Sequence, residues 1–583
     1  MTEFFEVVER DGPARRGELR LDQCLITPAV ADDVLVDAGD LWSADRDVPE
    51  GDSDEVTILP HRGFPPGTAD EVVDAFAPSY PDVSYPSAAV IDPRTADDHG
   101  ADVYILSTAQ GVVGHASAFR EAIKRVRAGI PDDTGLCLSG VATPANVALL
   151  AWAGVDLVDA TRAKIAGSRG QYLTPSGSYG LDDLTELPCP CPACARSVDE
   201  FDRAACIDHN VATLRAELAT VRQRIRDGRL RELLGGRCRH TAWVAAALRE
   251  SEAHPGYLEE RTPVFRRSDI LASSDDVLNR VEITRYADRL AERYECRFRR
   301  PAVLLPCSAR KPYSESQSHR QFRDVIQYRA HRVAISSPIG VVPQELECTY
   351  PAQHYDTPVT GRWSPNEVTL IGEQLGAFLA THDYPRIIAH MPPGGYREVV
   401  EHAVGVADVD VTYTVEDHPT VEASLSNLAA ALDGELAYSR YDRRQHTIRA
   451  IADYQFGPGA AAALFPSFDV EAPYPKHRVL GPDGAHLATM VPEYGLLALT
   501  LAGARQWVAA DLEVRRVTID DFVPHGDVLA PGILDASADI RVGDEVVVEG
   551  PSAFGIGRAC MHGRAMVEST RGVAVDLRHS EEL

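Results

Sequence analysis

At 583 residues the chain is too long for one core, and roughly 150 residues per domain predicts about four domains. A hydrophobic fraction of 44% excludes global disorder, and the lack of any apolar run of about 18 residues excludes a membrane-spanning helix. The net charge of −29 comes with four lysines, Lys124, Lys164, Lys311 and Lys476. Such an acidic, lysine-poor composition suits molar salt, where a Debye length of about 3 Å leaves a nucleic-acid partner open.

The first residues, MTEFFEVVERDGPARRGELR, hold acids and no apolar segment, so no secretory signal is expected and the compartment expected is the cytoplasm. The first two hundred residues alternate short apolar runs (Val34–Val36, Val56–Leu59, Ala88–Ile91, Val103–Leu106, Val155–Val158) with helical stretches at His115–Ala128 and Pro144–Ala153. This pattern predicts a parallel sheet with crossovers, closed as a TIM-like (β/α) barrel over residues 1–235. Two predicted strands end in acid, at Asp37 and Asp159, where a barrel places its chemistry.

Cys189-Pro-Cys191-Pro-Ala-Cys194 follows. The chain has 11 cysteines, an odd number that argues against a disulfide framework. Three thiols within six residues wrap a tetrahedral metal with little loop entropy. His209 is the expected fourth ligand, with Cys206 as its competitor. Four protein ligands leave no open position, so a zinc here would be structural.

A helical bridge is expected over 236–300, then a second α/β domain over 301–437, read as an open doubly wound sheet. Its first strand, Ala302–Leu305, runs into the loop Pro306-Cys307-Ser-Ala-Arg-Lys311-Pro-Tyr313-Ser314-Glu-Ser-Gln-Ser318-His319. A strand-end loop of an α/β sheet is where ligands bind, and this one gathers a thiol, an ammonium, a phenol, hydroxyls and an imidazole. A lysine retained in a chain that otherwise uses arginine suits a shifted pKa or a compact cation. A small α+β unit is expected over 438–503. Residues 504–583, with short β-branched strands at Val542–Gly550 and Gly572–Asp576, predict a small β-barrel.

These residues carry a resemblance. CPCPAC with the His209-Asn210 helix, GVDLVDATR around Asp159 and LVDAGDLWS around Asp37 resemble the tRNA-guanine transglycosylase family, in family order. The family uses the two aspartates on a flipped-out base in tRNA. Asp37-Ala-Gly-Asp40-Leu-Trp42 departs from the family's glycine-rich pattern, as does GLCLSGVATPAN, Gly135 to Asn146, which puts glycosyl exchange in doubt. The run PCSARKPYSESQSH resembles the signature of archaeosine synthases, paralogues of the archaeal transglycosylases. FGPGA at Phe456 resembles the small domain preceding PUA in archaeal transglycosylases, and the C-terminal module resembles a PUA RNA-binding domain.

The resemblance implies an enzyme that adds an amine to the nitrile of 7-cyano-7-deazaguanine already in the tRNA D-loop. L-lysine is the implied donor, glutamine or ammonium the alternatives, and a radical-SAM partner and a homodimer are further implied. Cys307 would attack the nitrile to give a thioimidate, activated by His319 or Lys311, and an amine would then displace it. Direct amine attack, with His319 as base, is the competing route. The alternative functions are a transglycosylase and a non-catalytic tRNA-binding subunit.

Overall fold

The computed structural model describes residues 3–39, 49–64, 67–76, 80–359 and 361–583. They divide into two compact units. The first holds Met1–Pro263, Asp527–Val542 and Cys560–Val575, and the second holds the remainder. Among the described residues no helix is long and apolar enough to cross a membrane.

The first unit opens with an antiparallel sheet, β1 (Phe5–Asp11), β2 (Ala14–Leu19) and β3 (Leu25–Ile26). A seven-stranded sheet follows, built from β4 (Ala29–Val30), β5 (Leu35–Asp37), β6 (Val56–Ile58), β7 (Ser87–Ile91), β8 (Val103–Leu106), β9 (Gly135–Leu138) and β10 (Leu157–Val158). Its order is β4-β10-β9-β8-β7-β6-β5, and every pairing is parallel. The two edge strands are therefore neighbours in sequence. A flat sheet of seven strands would hold its edges roughly 29 Å apart at about 4.8 Å per strand. The link from β4 to β5 reaches roughly 17 Å at full stretch, and it turns back on itself, with Val34 N and Leu35 N both donating to Ala31 O at 3.1 Å. The sheet must curl into the barrel wall expected from the sequence. β8 and β9 are buried throughout, as strands covered on both faces are.

The hairpin β11 (Gln171–Thr174) and β12 (Gly177–Gly180) leads to the long helix Arg203–Arg226. The stretch expected as a bridge, 236–300, divides between the units. Its helix Ala242–Ala253 packs on Ala116–Gly129 through an edge-on Phe119–Trp243 pair at 6.0 Å, and Tyr257 Oη donates to Ala153 O at 3.0 Å. Its helix Val281–Arg293 belongs to the second unit.

In that unit β13 (Ile270–Leu271) pairs in parallel with Tyr355–Asp356. The main sheet contains β14 (Ala302–Pro306), β15 (His331–Ser336) and β16 (Gly340–Pro343). After β17 (Tyr355–Asp356), the partner of β13, come β18 (Ile387–Ala389) and β19 (Val411–Tyr413). The order is β16-β15-β14-β18-β19, parallel except for the β15–β16 pair. Both faces of β14 are covered. Leu304 joins one apolar cluster, while Val303 and Leu305 join another with Phe322, Ile388 and Leu428. The chain leaves β14 toward β15 and later leaves β18 toward β19, in opposite directions. That reversal opens a crevice at the carboxyl ends of β14 and β18, the place where open α/β sheets bind ligands.

The helix Arg440–Phe456 is capped by Ser439, at the boundary expected near 438. Ser439 Oγ accepts from Asp442 N at 3.0 Å and Asp442 accepts from Ser439 N at 2.9 Å, a capping box that starts the helix. A four-stranded antiparallel sheet (469–499) follows. The C-terminal strands include Glu545–Gly550, close to the expectation, and Val573–Glu582, longer than the expected Gly572–Asp576.

Candidate metal centre and active site

The ligand atoms of Cys189, Cys191, Cys194 and His209 all lie within 4.8 Å of one another. The cysteines sit on a short turn whose 3-10 segment Pro192–Cys194 begins with proline. His209 lies in the second turn of the helix Arg203–Arg226, started by Asp202 accepting from Ala205 N at 2.8 Å. His209 Nε2 meets Leu173 O at 2.9 Å, so that nitrogen carries the proton and Nδ1 is left with its lone pair toward the sulfurs. Nδ1 stands 3.6 Å from Cys191 Sγ and 3.4 Å from Cys194 Sγ. A tetrahedral ion with ordinary thiolate and imidazole bonds separates S and N by roughly 3.5 Å. The cluster fits one metal ion.

Two neighbours hold it. Tyr172 stacks on the His209 ring at 3.6 Å and brings its hydroxyl within 3.6 Å of Cys194 Sγ. Asn210, fully buried, donates to Ala163 O and Gln171 O and accepts from Leu173 N, tying the hairpin to the helix. Burial depresses the His209 pKa, which keeps the ring neutral and able to ligate. Cys206 is buried in the adjoining apolar cluster and is not among the grouped ligands.

In the barrel, Asp159 follows β10. Gly140 N donates to its two carboxylate oxygens at 2.8 and 2.9 Å, and Thr161 N donates to Oδ1 at 3.2 Å. Gly140 adopts φ 74, a conformation open to glycine. Asp37 ends β5, exposed, with Gly39 N donating to its Oδ1 at 2.8 Å. The sequence reading missed Asp32, which accepts from Ala160 N at 2.8 Å and pairs with Lys164. The departure at Asp40–Trp42 lies outside the described residues.

The second site stands at the crevice of the five-stranded sheet. Cys307 extends β14 by one ladder bond, its N donating to Ile335 O at 3.1 Å. Its thiol, half-buried, is 3.1 Å from the Tyr396 hydroxyl. Tyr396 lies in the first turn of the helix Gly395–Ala407, entered from β18 by the turn Met391-Pro-Pro-Gly394-Gly395. Gly394 needs φ 94, and a side chain on Gly395 would strike the Trp363 ring, which packs edge-on against Tyr396 at 5.0 Å.

Lys311 holds its ammonium 3.8 Å from the Tyr355 ring centre. Burial lowers its pKa, and the charges of Cys307, Asp356 and Asp269 oppose that shift. Tyr313 and Tyr355 share a hydrogen bond at 2.7 Å, and Tyr355 continues it to Ser336. Ser314 N donates to the buried Glu347 at 2.9 Å, and Ser318 Oγ lies 3.3 Å from Ser316 Oγ. Ser316 caps the helix Gln317–Ile326. His319 lies beneath the loop, 3% exposed, with Nε2 donating to Pro306 O at 2.9 Å and its ring stacked on Tyr313 at 5.3 Å. Burial pulls its pKa down to about 4. Among the described residues the thiol's hydrogen-bond partner is Tyr396, not His319. The loop residues are thus gathered around Tyr313, while Tyr355 and Tyr396 come from distant segments that motif spacing gave no means to find.

Four family models match. Residues 93–242 match "Queuine tRNA-ribosyltransferase" and residues 283–432 a domain of unknown function. Residues 446–512 match "Patch-forming domain C2 of tRNA-guanine transglycosylase" and residues 513–580 the PUA domain. The chain is 56% identical to the archaeosine synthase of Haloferax volcanii, with 100% of both chains covered. It is 39% identical to the archaeosine synthase subunit alpha of Methanosarcina acetivorans, again with 100% of both covered. A tRNA-guanine(15) transglycosylase of Methanobrevibacter smithii is 25% identical over 80% of this chain and 69% of its own.

Proposed function

The chain belongs to the archaeosine synthase family, and from that premise we propose that it modifies tRNA by adding an amine to the nitrile of 7-cyano-7-deazaguanine already in place. The observation that carries the reading to particular residues is the Cys307 thiol at the carboxyl end of β14, facing Tyr396 and near the Lys311 ammonium. A nitrile carbon is an electrophile that a thiol can attack. The resulting thioimidate is open to an amine, which displaces the sulfur and leaves an amidine. No activation by a nucleotide is required. Lys311 would stabilise charge developing on the sulfur or bind an anionic group of a substrate. L-lysine is the donor the family resemblance favours, with glutamine or ammonium as the alternatives.

The barrel would receive the tRNA base, with Asp159 and Asp37 shaping its pocket rather than exchanging it. Zinc suits the Cys189, Cys191, Cys194 and His209 set, as a four-coordinate structural ion with no open position for chemistry. The PUA domain would bind tRNA, in the cytoplasm. The test of the reading is mass spectrometry of nucleosides from cyano-deazaguanine tRNA incubated with the purified chain and each amine. The expected result is a nucleoside heavier by the mass of the donor. Unchanged nitrile with every amine would overturn the reading.

A further inference from the structure

We propose that Tyr396 is a catalytic residue of this site: its hydroxyl relays the Cys307 proton to the nitrile nitrogen as sulfur attacks the nitrile carbon. The inference rests on the function proposed above and assigns it a proton path. Addition of a thiol to a nitrile forms one C–S bond, breaks one C–N π bond, and moves one proton from sulfur to nitrogen. In the product the nitrogen is two bonds from the sulfur. A hydroxyl in hydrogen-bond contact with sulfur is therefore also in reach of the nitrogen.

Tyr396 meets that requirement. Its oxygen is 3.1 Å from Cys307 Sγ, and among the described residues the thiol is its hydrogen-bond partner. Either atom can donate in this contact, and when the sulfur donates the phenol proton is left for the nitrile nitrogen. The imidazole and the other phenols nearby are committed elsewhere. His319 Nε2 is held by Pro306 O, and the Tyr313 and Tyr355 hydroxyls bond each other and Ser336. The Lys311 ammonium sits over the Tyr355 ring.

The phenol gives one proton to nitrogen and takes one from sulfur in the same step, so it ends neutral. Burial and the neighbouring thiol push its pKa far up, which disfavours any route through a free tyrosinate. The second half-reaction reverses the path. The amine attacks the thioimidate carbon, the C–S bond breaks, the amine loses a proton, and sulfur recovers one through the same hydroxyl. Nitrile and amine sum to amidine with no other product. The ring is fixed for this task, 4% exposed, edge-on to Trp363 and mounted in the first turn of its helix.

The test is single-turnover amine addition on cyano-deazaguanine tRNA by the wild type, by Tyr396→Phe and by the chain carrying 3,5-difluorotyrosine at 396. Phenylalanine keeps the packing on Trp363 and loses the hydroxyl, so the rate should fall by about 10²–10⁴-fold while tRNA affinity holds. The fluorinated ring keeps the hydroxyl and should restore addition to within about tenfold of wild type, with the alkaline limb of its pH–rate profile moved down. A Phe variant within about threefold of wild type would overturn the relay. So would a difluorotyrosine chain as impaired as the Phe variant, and this comparison holds even if the Phe variant folds poorly. A wild-type chain that forms no adduct contradicts the proposed function itself and removes the relay with it.

Discussion

At the scale of single residues, the account stands on Cys307. Cys307→Ala and Cys307→Ser should both abolish amine addition while tRNA binding persists. A serine hydroxyl is far less ionised and less nucleophilic than a thiol near neutral pH. Near-normal turnover by Cys307→Ala, read by the same nucleoside mass spectrometry, would leave direct amine attack as the better account.

His319 yields a different prediction. Its folded pKa of about 4 lies below the unfolded value of about 6.5, as does that of the fully buried His390, also about 4. Protonation thus favours the unfolded chain. The stability each neutral ring contributes is present above pH about 6.5 and is lost as pH falls toward about 4, on the order of 3 kcal/mol per group. His331 runs the other way. Glu345 at 2.9 Å raises its pKa to about 10, so its contribution is present below pH about 6.5 and is lost as pH rises through about 10. Melting temperatures at matched salt should fall between pH 6.5 and 4, with a flatter slope for His319→Gln. Equal slopes would place the titration elsewhere. The loop residues were legible because fourteen consecutive positions hold the thiol, the lysine and the imidazole. Tyr396 was not, since only strand order brings β18 beside β14.

At the scale of elements, the hairpin β11–β12 and the helix Arg203–Arg226 are joined beside the candidate metal cluster. Asn210 ties them by two hydrogen bonds, from Leu173 N and to Gln171 O, makes a third to Ala163 O of the helix Thr161–Ser168, and has its amide fully buried. Asn210→Ala strands those partners and should cost about 2–4 kcal/mol of unfolding free energy. Purified protein should carry about one zinc per chain, and Cys194→Ser should lose the metal together with thermal stability. Metal content below about half an equivalent under non-chelating conditions would contradict the site. The thiols were legible from their spacing alone, and His209 from the helix start. The choice of His209 over Cys206 was not legible from periodicity, since at 100° per residue the two stand only about 60° apart on one helix face. Cys206 packs into the apolar cluster with Tyr172 and Phe201, while His209 brings Nδ1 to the cysteine sulfurs. The curl of the barrel sheet was legible as strand–helix alternation. The division of 236–300 between two units was not, because periodicity shows that a helix forms and not which core it joins.

At the scale of the molecule, segments of the C-terminal module fall within each of the two compact units. In the second unit Trp507 is fully buried, edge-on to Phe456 at 4.9 Å. In the first, His562 lies 3.5 Å from Asp132, and Thr570 donates to Asp133 through both N and Oγ1. Truncation before Trp507 should therefore lower the unfolding temperature of the rest, rather than only weaken tRNA binding. A truncated chain that melts like wild type would refute this. The charge of −29 makes salt a condition of every such measurement, since phosphate contacts weaken and surface repulsion is screened as salt rises.

The most direct measurement of the central claim is the product formed by the purified chain on tRNA carrying 7-cyano-7-deazaguanine. With wild-type protein, L-lysine and high salt, the account predicts a nucleoside equal in mass to the nitrile plus the donor amine, absent with Cys307→Ala. Exchange of labelled free base into unmodified tRNA, with the nitrile left intact, would contradict it.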